Sequence, residues 1–388
     1  MTLKRKAAIV GLSETKPQRK SEGTPAVELL AEAARLAIRD AGLEKKDIDG
    51  LIVLPPMGEE TMLWPSILAD YLKMQPRYAN VVDIGGASAC GAVWRAAAAI
   101  AGGLCNTVLC VAGDVLDPDL FYARRGGRPA RTPAREFDAP YGIGVANEGY
   151  AMIAMRHMYE YGTTPRQMAK VAVDQRFNAN ANPDAIFFDQ TLTIDDVLNS
   201  PLICDPLHLY EIVMPCTYAN AVVVTSPERA KDSPHRPVWL LGAGECITNN
   251  LPAQAPSLTS SGIAVAAGRA FEMAGVTPRD VDLVSVYDCY TITVIITLED
   301  AGFCPKGQGG PFVEEHDLTY KGDLPLNTHG GQLSFGQAGL AGGMTHVTEA
   351  VRQLQGRAGQ RQVKDCELAF VNGNGGVLNE ECSLVLGV

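Results

Sequence analysis

Two side chains in the sequence combine a reactive group with a position that suits chemistry. Cys90 lies near the start of an Ala-rich predicted helix (88–102), and a helix N-terminus lowers the pKa of a thiol, which favours the nucleophilic thiolate. Tyr287 ends a buried strand-like run, where a phenol can transfer a proton if a neighbour tunes its ordinary pKa of about 10. Both also have structural interpretations, since a small thiol in an Ala-rich helix and an aromatic at a strand end are common core residues.

The segments that must position these residues alternate between strand and helix patterns. This alternation predicts an α/β fold whose sheet is mostly parallel and covered by helices. In the first 114 residues the strand-like segments are AAIVGL (7–12), DGLIVLP (49–55), NVVDIG (80–85) and TVLCVAGD (107–114), and the helix-like segments are 25–43, 62–74 and 88–102.

A sequence repeat indicates that the fold is duplicated. AIRDAGLEKKDIDGLIV (37–53) and AFEMAGVTPRDVDLVSV (270–286) align without a gap, and both read as helix, Gly stop, Asp-containing turn and buried strand. Gly42/Gly275 and Asp49/Asp282 are among the identical pairs. We therefore predict two similar α/β halves, residues 1–234 and 235–388. The first half would carry a loop-and-helix insertion over about 115–215.

Composition excludes several classes of protein. The 388-residue chain carries 33 Lys and Arg against 44 Asp and Glu, and its formal net charge of −11 without a basic face argues against nucleic-acid binding. No apolar run approaches the roughly 20 residues that a membrane span needs. The Arg-rich segment 122–136 reads either as a patch for a nucleotide phosphate or as a solvated loop.

Cysteine usage indicates a reducing compartment. The ten cysteines form no CxxC pair, which argues against a zinc ribbon or a thioredoxin-type site, and we predict no metal. Several lie in apolar runs typical of reduced core residues. The apolar stretch near the N-terminus is too short for a signal-peptide core, so we expect a cytoplasmic protein.

Four segments resemble the thiolase superfamily, in its sterol-carrier and lipid-transfer-protein branch. The resemblance covers nearly the whole chain and implies the duplicated αβαβα layered thiolase fold. GGASACGAVWRAAAAIAGGL (85–104) resembles the loop and helix of the nucleophile, and VSVYDCYTITVIITLEDAGF (284–303) resembles the H-D-C-F segment. LPLNTHGGQLSFGQAGLAGGMTHVTEAVRQLQG (324–356) resembles the stretch with N-x-S-G-G, G-H-P and a second catalytic Cys, and FVNGNGGVLNEECSLVLG (370–387) resembles the closing Gly-rich loop and strand.

The thiolase catalytic residues do not carry over. By ungapped alignment the nucleophile falls at Gly86, the His of H-D-C-F at Tyr287, the His of G-H-P at Gln337 and the second Cys at Val347. A thiolase needs a thiolate and a base. Asn327 matches the family Asn that holds an oxyanion-hole water.

Backbone amides complete the implied site. The amides of Gly86 and of the loop glycines Gly373, Gly375 and Gly376 are expected to face the thioester oxygen, since glycine lets a backbone approach a ligand. The site implied by the resemblance therefore stabilises an enolate but forms no acyl-enzyme.

These features imply a non-covalent reaction on a coenzyme A thioester. Retro-aldol cleavage of a 3-hydroxyacyl-CoA, giving a ketone or aldehyde and a shorter acyl-CoA, fits them, and the segment around Tyr287 resembles that of aldolases that shorten steroid side chains. His329 and His346 flank the aligned segments and are candidates to tune Tyr287, while Asp288 is expected to cap the helix that starts near Tyr290. The second Tyr that those aldolases carry after the Gly-Gly pair is missing, which weakens a steroid assignment.

The resemblance also implies partners. No bound cofactor is expected beyond coenzyme A as part of the substrate. Related folds pair their first-half sheets, which predicts a homodimer with an edge strand near 78–85 at the interface. The aldolases work with a small OB-fold, zinc-ribbon acyl-CoA-binding subunit, which predicts such a partner and a heterotetramer.

Two alternatives remain open from the sequence. If the loop before the helix 88–102 carries an insertion, Cys90 becomes the nucleophile of a thiolase or acyltransferase. If the site is inactive, the chain is a non-catalytic acyl-CoA-binding or scaffold subunit. The retained Asn327 and the paired histidines argue against an inactive site.

Overall fold

A mixed sheet of nine strands forms the framework of the described chain. The computed structural model describes residues 2–59, 61–116, 134–143, 146–250 and 252–388. The strands are β1 (Ala8–Glu14), β2 (Gly50–Val53), β3 (Tyr78–Val81), β4 (Thr107–Val115), β5 (Leu202–Cys204), β6 (Leu207–His208), β7 (Thr217–Thr225), β8 (Val238–Ile247), β9 (Leu283–Val286), β10 (Leu368–Gly375) and β11 (Glu380–Gly387). The sheet order is β3-β2-β4-β7-β1-β8-β11-β10-β9, and β5 and β6 form a separate hairpin.

The order of the strands confirms the duplicated architecture. The run β2-β4-β7-β1 on one side repeats as β9-β10-β11-β8 on the other, and each pair has the same direction in both runs: parallel, then antiparallel twice. The two runs meet at an antiparallel contact between β1 and β8. The centre of the sheet is therefore more antiparallel than the alternating pattern predicts. The boundary at 234/235 stays a prediction.

The two copies of the sequence repeat form the same local structure. Gly42 and Gly275 end their helices at φ of +69° and +71°, a region that favours glycine. Asp49 accepts hydrogen bonds from the amides of Asn106 and Thr107 at the start of β4. Asp282 accepts the equivalent bonds at the start of β10. These matched anchors explain why the repeat keeps its aspartates.

Helices pack on the strands to complete five layers. The α-helices are α1 (Ala26–Asp40), α2 (Trp64–Leu72), α3 (Ser88–Ala101), α4 (Ala146–Tyr161), α5 (Pro165–Ala179), α6 (Ile194–Leu198), α7 (Pro227–Ala230), α8 (Ile263–Ala274), α9 (Thr291–Asp300), α10 (Gly309–Glu315), α11 (Gly331–Phe335) and α12 (Gly342–Leu354). α3 and α12 are buried between the strands of the two halves, α1 and α2 cover the outer face of the first half, and α8 and α9 cover that of the second.

The insertion between β4 and β7 supplies α4, α5, α6 and the β5–β6 hairpin. It packs on the second half: His157 of α4 lies 3.0 Å from Glu299 of α9, and Asn178 of α5 donates to the carbonyl of Leu326 at 2.9 Å. Most of the Arg-rich segment, residues 122–133, lies outside the described residues. No helix in the described ranges is both long and apolar enough to cross a membrane.

Candidate active site

The ring of Tyr287 lies against the backbone of Gly86 inside the molecule. Tyr287 follows β9 directly and is 5% exposed, and its amide donates to the carbonyl of Asn372 at 2.9 Å. A β-carbon added to Gly86 would overlap Cε2 and Cζ of this ring. The phenol ring therefore fills the space that any side chain at position 86 would need.

Gln337 holds the Tyr287 hydroxyl. Its Nε2 donates to Tyr287 Oη over 2.9 Å. The Gln337 backbone is fixed at both ends, because its amide donates to Met214 and its carbonyl accepts from Cys216. Gln337 is partly exposed, whereas Tyr287 is buried.

Tyr287 is a neutral phenol in this setting. Burial raises its pKa well above the ordinary value of 10, and the neighbouring Cys289 and Asp288 act in the same direction. The hydrogen bond from Gln337 opposes this rise but is the smaller influence. The Tyr287 hydroxyl therefore keeps its proton at neutral pH.

Glycines allow two backbone segments to touch beneath Tyr287. A β-carbon on Gly373 would lie 2.7 Å from Cα of Ala87, and one on Gly85 would lie 2.7 Å from Cα of Gly375. Gly376 turns the chain at φ of +64°. The immediate reason for these glycines is thus contact between the segments 84–87 and 373–376. Their predicted role toward a thioester oxygen stays a prediction.

Asp288 caps a different helix from the one expected. Its carboxylate accepts from the amides of Gln332 (2.8 Å) and Leu333 (3.1 Å), at the start of α11. The expectation that it caps the helix near Tyr290 is wrong, because Tyr290 itself is the N-cap of α9 and Asp288 points across the site. Asp288 thereby fixes α11 behind Tyr287.

His346 and His329 lie together behind Tyr287. The His346 ring is 6.1 Å from the Tyr287 ring and 5.3 Å from that of His329, measured between centroids. Nε2 of His346 lies 3.2 Å from Asp288 Oδ1, and Nδ1 lies 3.3 Å from Ser285 Oγ. His346 therefore lies next to Tyr287, and His329 lies beside His346.

Neither histidine bonds to the Tyr287 hydroxyl. Both ring nitrogens of His329 lack a hydrogen-bond partner among the described residues. Burial lowers the pKa of His329 well below 6.5, so this ring is neutral. Their predicted catalytic roles stay predictions, and any tuning of Tyr287 must act across the ring contact.

Asn327 is anchored to the strand that carries Tyr287. Its Oδ1 accepts from the amide of Val286 at 2.8 Å, and its Nδ2 donates to the carbonyl of the same residue at 2.9 Å. The Asn327 backbone has φ of +48°, in the left-handed region. The second N–H of the Asn327 side chain is not used by this pair and can donate to another acceptor. The predicted role of Asn327 in an oxyanion hole stays a prediction.

Comparisons with known proteins show which family the chain resembles. The family model of the thiolase C-terminal domain-like region matches residues 244–388. A steroid side-chain-cleaving aldolase of Thermomonospora curvata is 33% identical over 90% of both chains. An acetyl-CoA acetyltransferase of Methanothermobacter thermautotrophicus is 33% identical over 96% of this chain and 97% of its own. A solved structure, the Ltp2-ChsH2(DUF35) aldolase, is 31% identical, with a TM-score of 0.89 over 100% of this chain and 98% of that one.

The chain belongs to the thiolase superfamily. The resemblance to its sterol-carrier-protein thiolase-like branch is confirmed, and so is the thiolase-like fold.

Cys90 is a poor nucleophile for a thiolase of this shape. It lies in α3, one turn beyond Gly86, and is fully buried. Burial raises the pKa of its thiol well above 9, which removes the thiolate that acyl transfer needs. The N-terminus of α3 does not overcome this burial.

Sequence reasoning missed the importance of two residues. At position 337 the sequence shows only that the family histidine is lost, and no local pattern indicates that Gln337 bonds to Tyr287. Tyr150 of the insertion accepts from Asn374 Nδ2 (2.9 Å) and donates to the carbonyl of Gly376 (3.2 Å). No motif in the insertion could have placed Tyr150 there.

Proposed function

We propose that the chain is an acyl-CoA aldolase that cleaves the Cα–Cβ bond of a 3-hydroxyacyl-CoA without a covalent acyl-enzyme. The products are a ketone or aldehyde and a shorter acyl-CoA. One observation carries the proposal: the Tyr287 ring fills the nucleophile position at Gly86 and places a neutral phenol, rather than a thiol, at the site.

The reaction needs enolate stabilisation and proton transfer only. The hydroxyl of the substrate loses its proton, the Cα–Cβ bond breaks, and its electron pair passes into the thioester as an enolate. The enolate then takes a proton at Cα, so the step is balanced without an oxidant. A hydrogen-bond donor aimed at the thioester oxygen stabilises the charge that develops, and we assign such donors to Tyr287 and the amides near Gly86.

The relatives favour this activity over acyl transfer. The Thermomonospora relative is named an aldolase, and the solved neighbour over the whole chain is also an aldolase. The alternative is a Cys90-dependent acyltransferase, and the acetyl-CoA acetyltransferase relative supports it. Burial of Cys90 weighs against it.

Two variants separate these activities. With 3-hydroxy-3-methylbutanoyl-CoA as the probe, aldol cleavage releases acetone and acetyl-CoA. We expect Tyr287→Phe to lower kcat by about 10²–10⁴-fold, because it removes a proton donor. Cys90→Ala, the matched control, should keep most activity. The opposite ranking would establish the acyltransferase, and binding without turnover, with or without a partner subunit, would indicate a scaffold.

We also propose two partners. The solved neighbour is named as a two-component aldolase, which supports a small OB-fold, zinc-ribbon acyl-CoA-binding subunit for this chain. β3 lies at the edge of the sheet, as the sequence predicted for residues near 78–85, and supports a homodimer and hence a heterotetramer. Coenzyme A enters as part of the substrate. The ten cysteines are all free thiols, which supports a cytoplasmic location.

A further inference from the structure

We infer that Gln337 is a positioning residue that makes Tyr287 a hydrogen-bond donor to the substrate rather than its general base. The inference rests on the proposed function and states which way the hydroxyl proton of Tyr287 points.

The geometry at the hydroxyl carries the argument. A phenol has one proton to donate and lone pairs to accept. Gln337 Nε2 already donates to Tyr287 Oη, so the phenol proton must point away from Gln337. Among the described residues, none accepts a hydrogen bond from this hydroxyl. It is therefore free for an oxygen of the substrate.

Gln337 can impose this direction because it is itself fixed. Backbone bonds to Met214 and Cys216 hold it from the side of β7. Its side chain has no charge, so it neither takes the phenol proton nor adds repulsion to an enolate. The raised pKa of Tyr287 agrees with a donor, since a general base would have to be a phenolate in a buried site.

The consequence concerns the order of proton transfers. Tyr287 donates to the thioester oxygen while the Cα–Cβ bond breaks, and the substrate hydroxyl gives its proton to a base other than Tyr287, which we assign to solvent. That proton is matched by the one later taken up at Cα. The retro-aldol step stays balanced.

The test replaces the donor by an acceptor. In Gln337→Glu the carboxylate accepts the phenol proton, whereas the protonated acid still donates. The introduced carboxyl has an ordinary pKa of about 4.3, which partial burial raises. The titratable groups nearest this position are Asp288, Cys289 and His346 around Tyr287, Cys216 and Tyr218 beside Gly336, and Asp114 beside Gly339, where burial raises the pKa of Asp114 to about 6. Dividing by the wild-type rate at each pH removes their own titration.

The two roles predict opposite slopes. For a donor, kcat of Gln337→Glu relative to wild type falls at least tenfold between pH 5 and 8, as the carboxylate forms and captures the phenol proton. For a general base, the same carboxylate would assist proton removal, and the ratio would rise. A rising or flat ratio overturns the inference. Gln355→Glu, at a half-buried amide that bonds to Arg236 and Arg357 away from the site, is the control and should give a ratio near one.

A second readout separates this inference from the proposed function. Exchange of the Cα hydrogens of acetyl-CoA for deuterium reports enolate formation without C–C cleavage. If wild type exchanges deuterium but cleaves no 3-hydroxyacyl-CoA, the proposed function fails. The pH dependence of Gln337→Glu relative to wild type is then measured on the exchange rate instead of kcat. If wild type cleaves but the slope rises or is flat, only the inference fails. Gln337→Met, which loses the bond without adding a charge, should lower both rates at every pH with KM little changed.

Discussion

At the scale of single residues, the site depends on an absence of side chain at position 86. The Tyr287 ring can lie where it does only because Gly86 has no β-carbon. By the ungapped alignment, a thiolase carries its nucleophile at this position, where a side chain would overlap the Tyr287 ring. We therefore propose that the residue at position 86 decides between covalent and non-covalent chemistry in this chain.

This exclusion predicts the effect of a single methyl group. Gly86→Ala should displace the Tyr287 ring and lower kcat by about 10²-fold or more, measured by acetone release. Gly268→Ala is the control, since a β-carbon there meets nothing within 4 Å. Full activity of Gly86→Ala would mean that the position of Tyr287 does not matter.

How much of the site was predictable also depends on single residues. Tyr287, His329 and His346 were brought together as the sequence suggested, because each lies in a segment with a clear family counterpart. The bond from Gln337 was not foreseen, since it depends on how the segment 336–339 passes β7. Side-chain direction of this kind depends on packing rather than on local pattern.

At the scale of elements, α12 is fixed to its neighbours by a buried ion cluster. Glu349 is fully buried and lies 3.0 Å from both Arg361 and Arg352. It also accepts from Thr328 at 2.7 Å, which ties α12 to the segment that carries His329. The arginines hold the pKa of Glu349 well below its usual 4.5 despite its burial.

The cluster predicts acid sensitivity of known sign. A carboxyl whose pKa is depressed by folding stabilises the native state above its unfolded pKa, and this contribution is lost as pH falls. The free energy of unfolding should therefore decrease below about pH 4.5. Glu349→Gln should lose about 3 kcal/mol at pH 7 and show a weaker decline in acid.

Urea unfolding from pH 7 to 3 measures this effect. Glu272→Gln, on the exposed side of α8, is the control and should follow wild type. An unchanged pH dependence in Glu349→Gln would show that other carboxyls control acid unfolding.

The elements themselves were more predictable than their directions. The repeat foretold matching helix, turn and strand in both halves, because local pattern encodes these units. The antiparallel pairing of β7, β8 and β11 was not foreseen, since periodicity identifies a strand but does not fix its partner.

At the scale of the whole molecule, the sheet ends at β3 with an exposed edge. Val81 in this strand is 44% exposed. An unpaired edge with an apolar residue is a ready surface for a second strand. The proposed homodimer would pair the two β3 strands there.

One charge should disrupt that dimer. Val81→Asp should shift the sedimenting species from dimer to monomer at micromolar concentration, because a buried unpaired charge is costly at an interface. Val265→Asp, on α8 and 45% exposed, should leave the dimer intact. A wild-type monomer would remove the proposal, and a dimer that survives Val81→Asp would place the interface elsewhere.

The central claim is that C–C cleavage proceeds without an acyl-enzyme, and intact-mass spectrometry tests it most directly. Wild-type protein is incubated with 3-hydroxy-3-methylbutanoyl-CoA or acetyl-CoA, then quenched in acid and weighed, while acetone release is measured in the same sample. We predict cleavage with no acyl mass increment on the protein. An acetyl increment that maps to Cys90, and disappears in Cys90→Ala together with activity, would contradict the account.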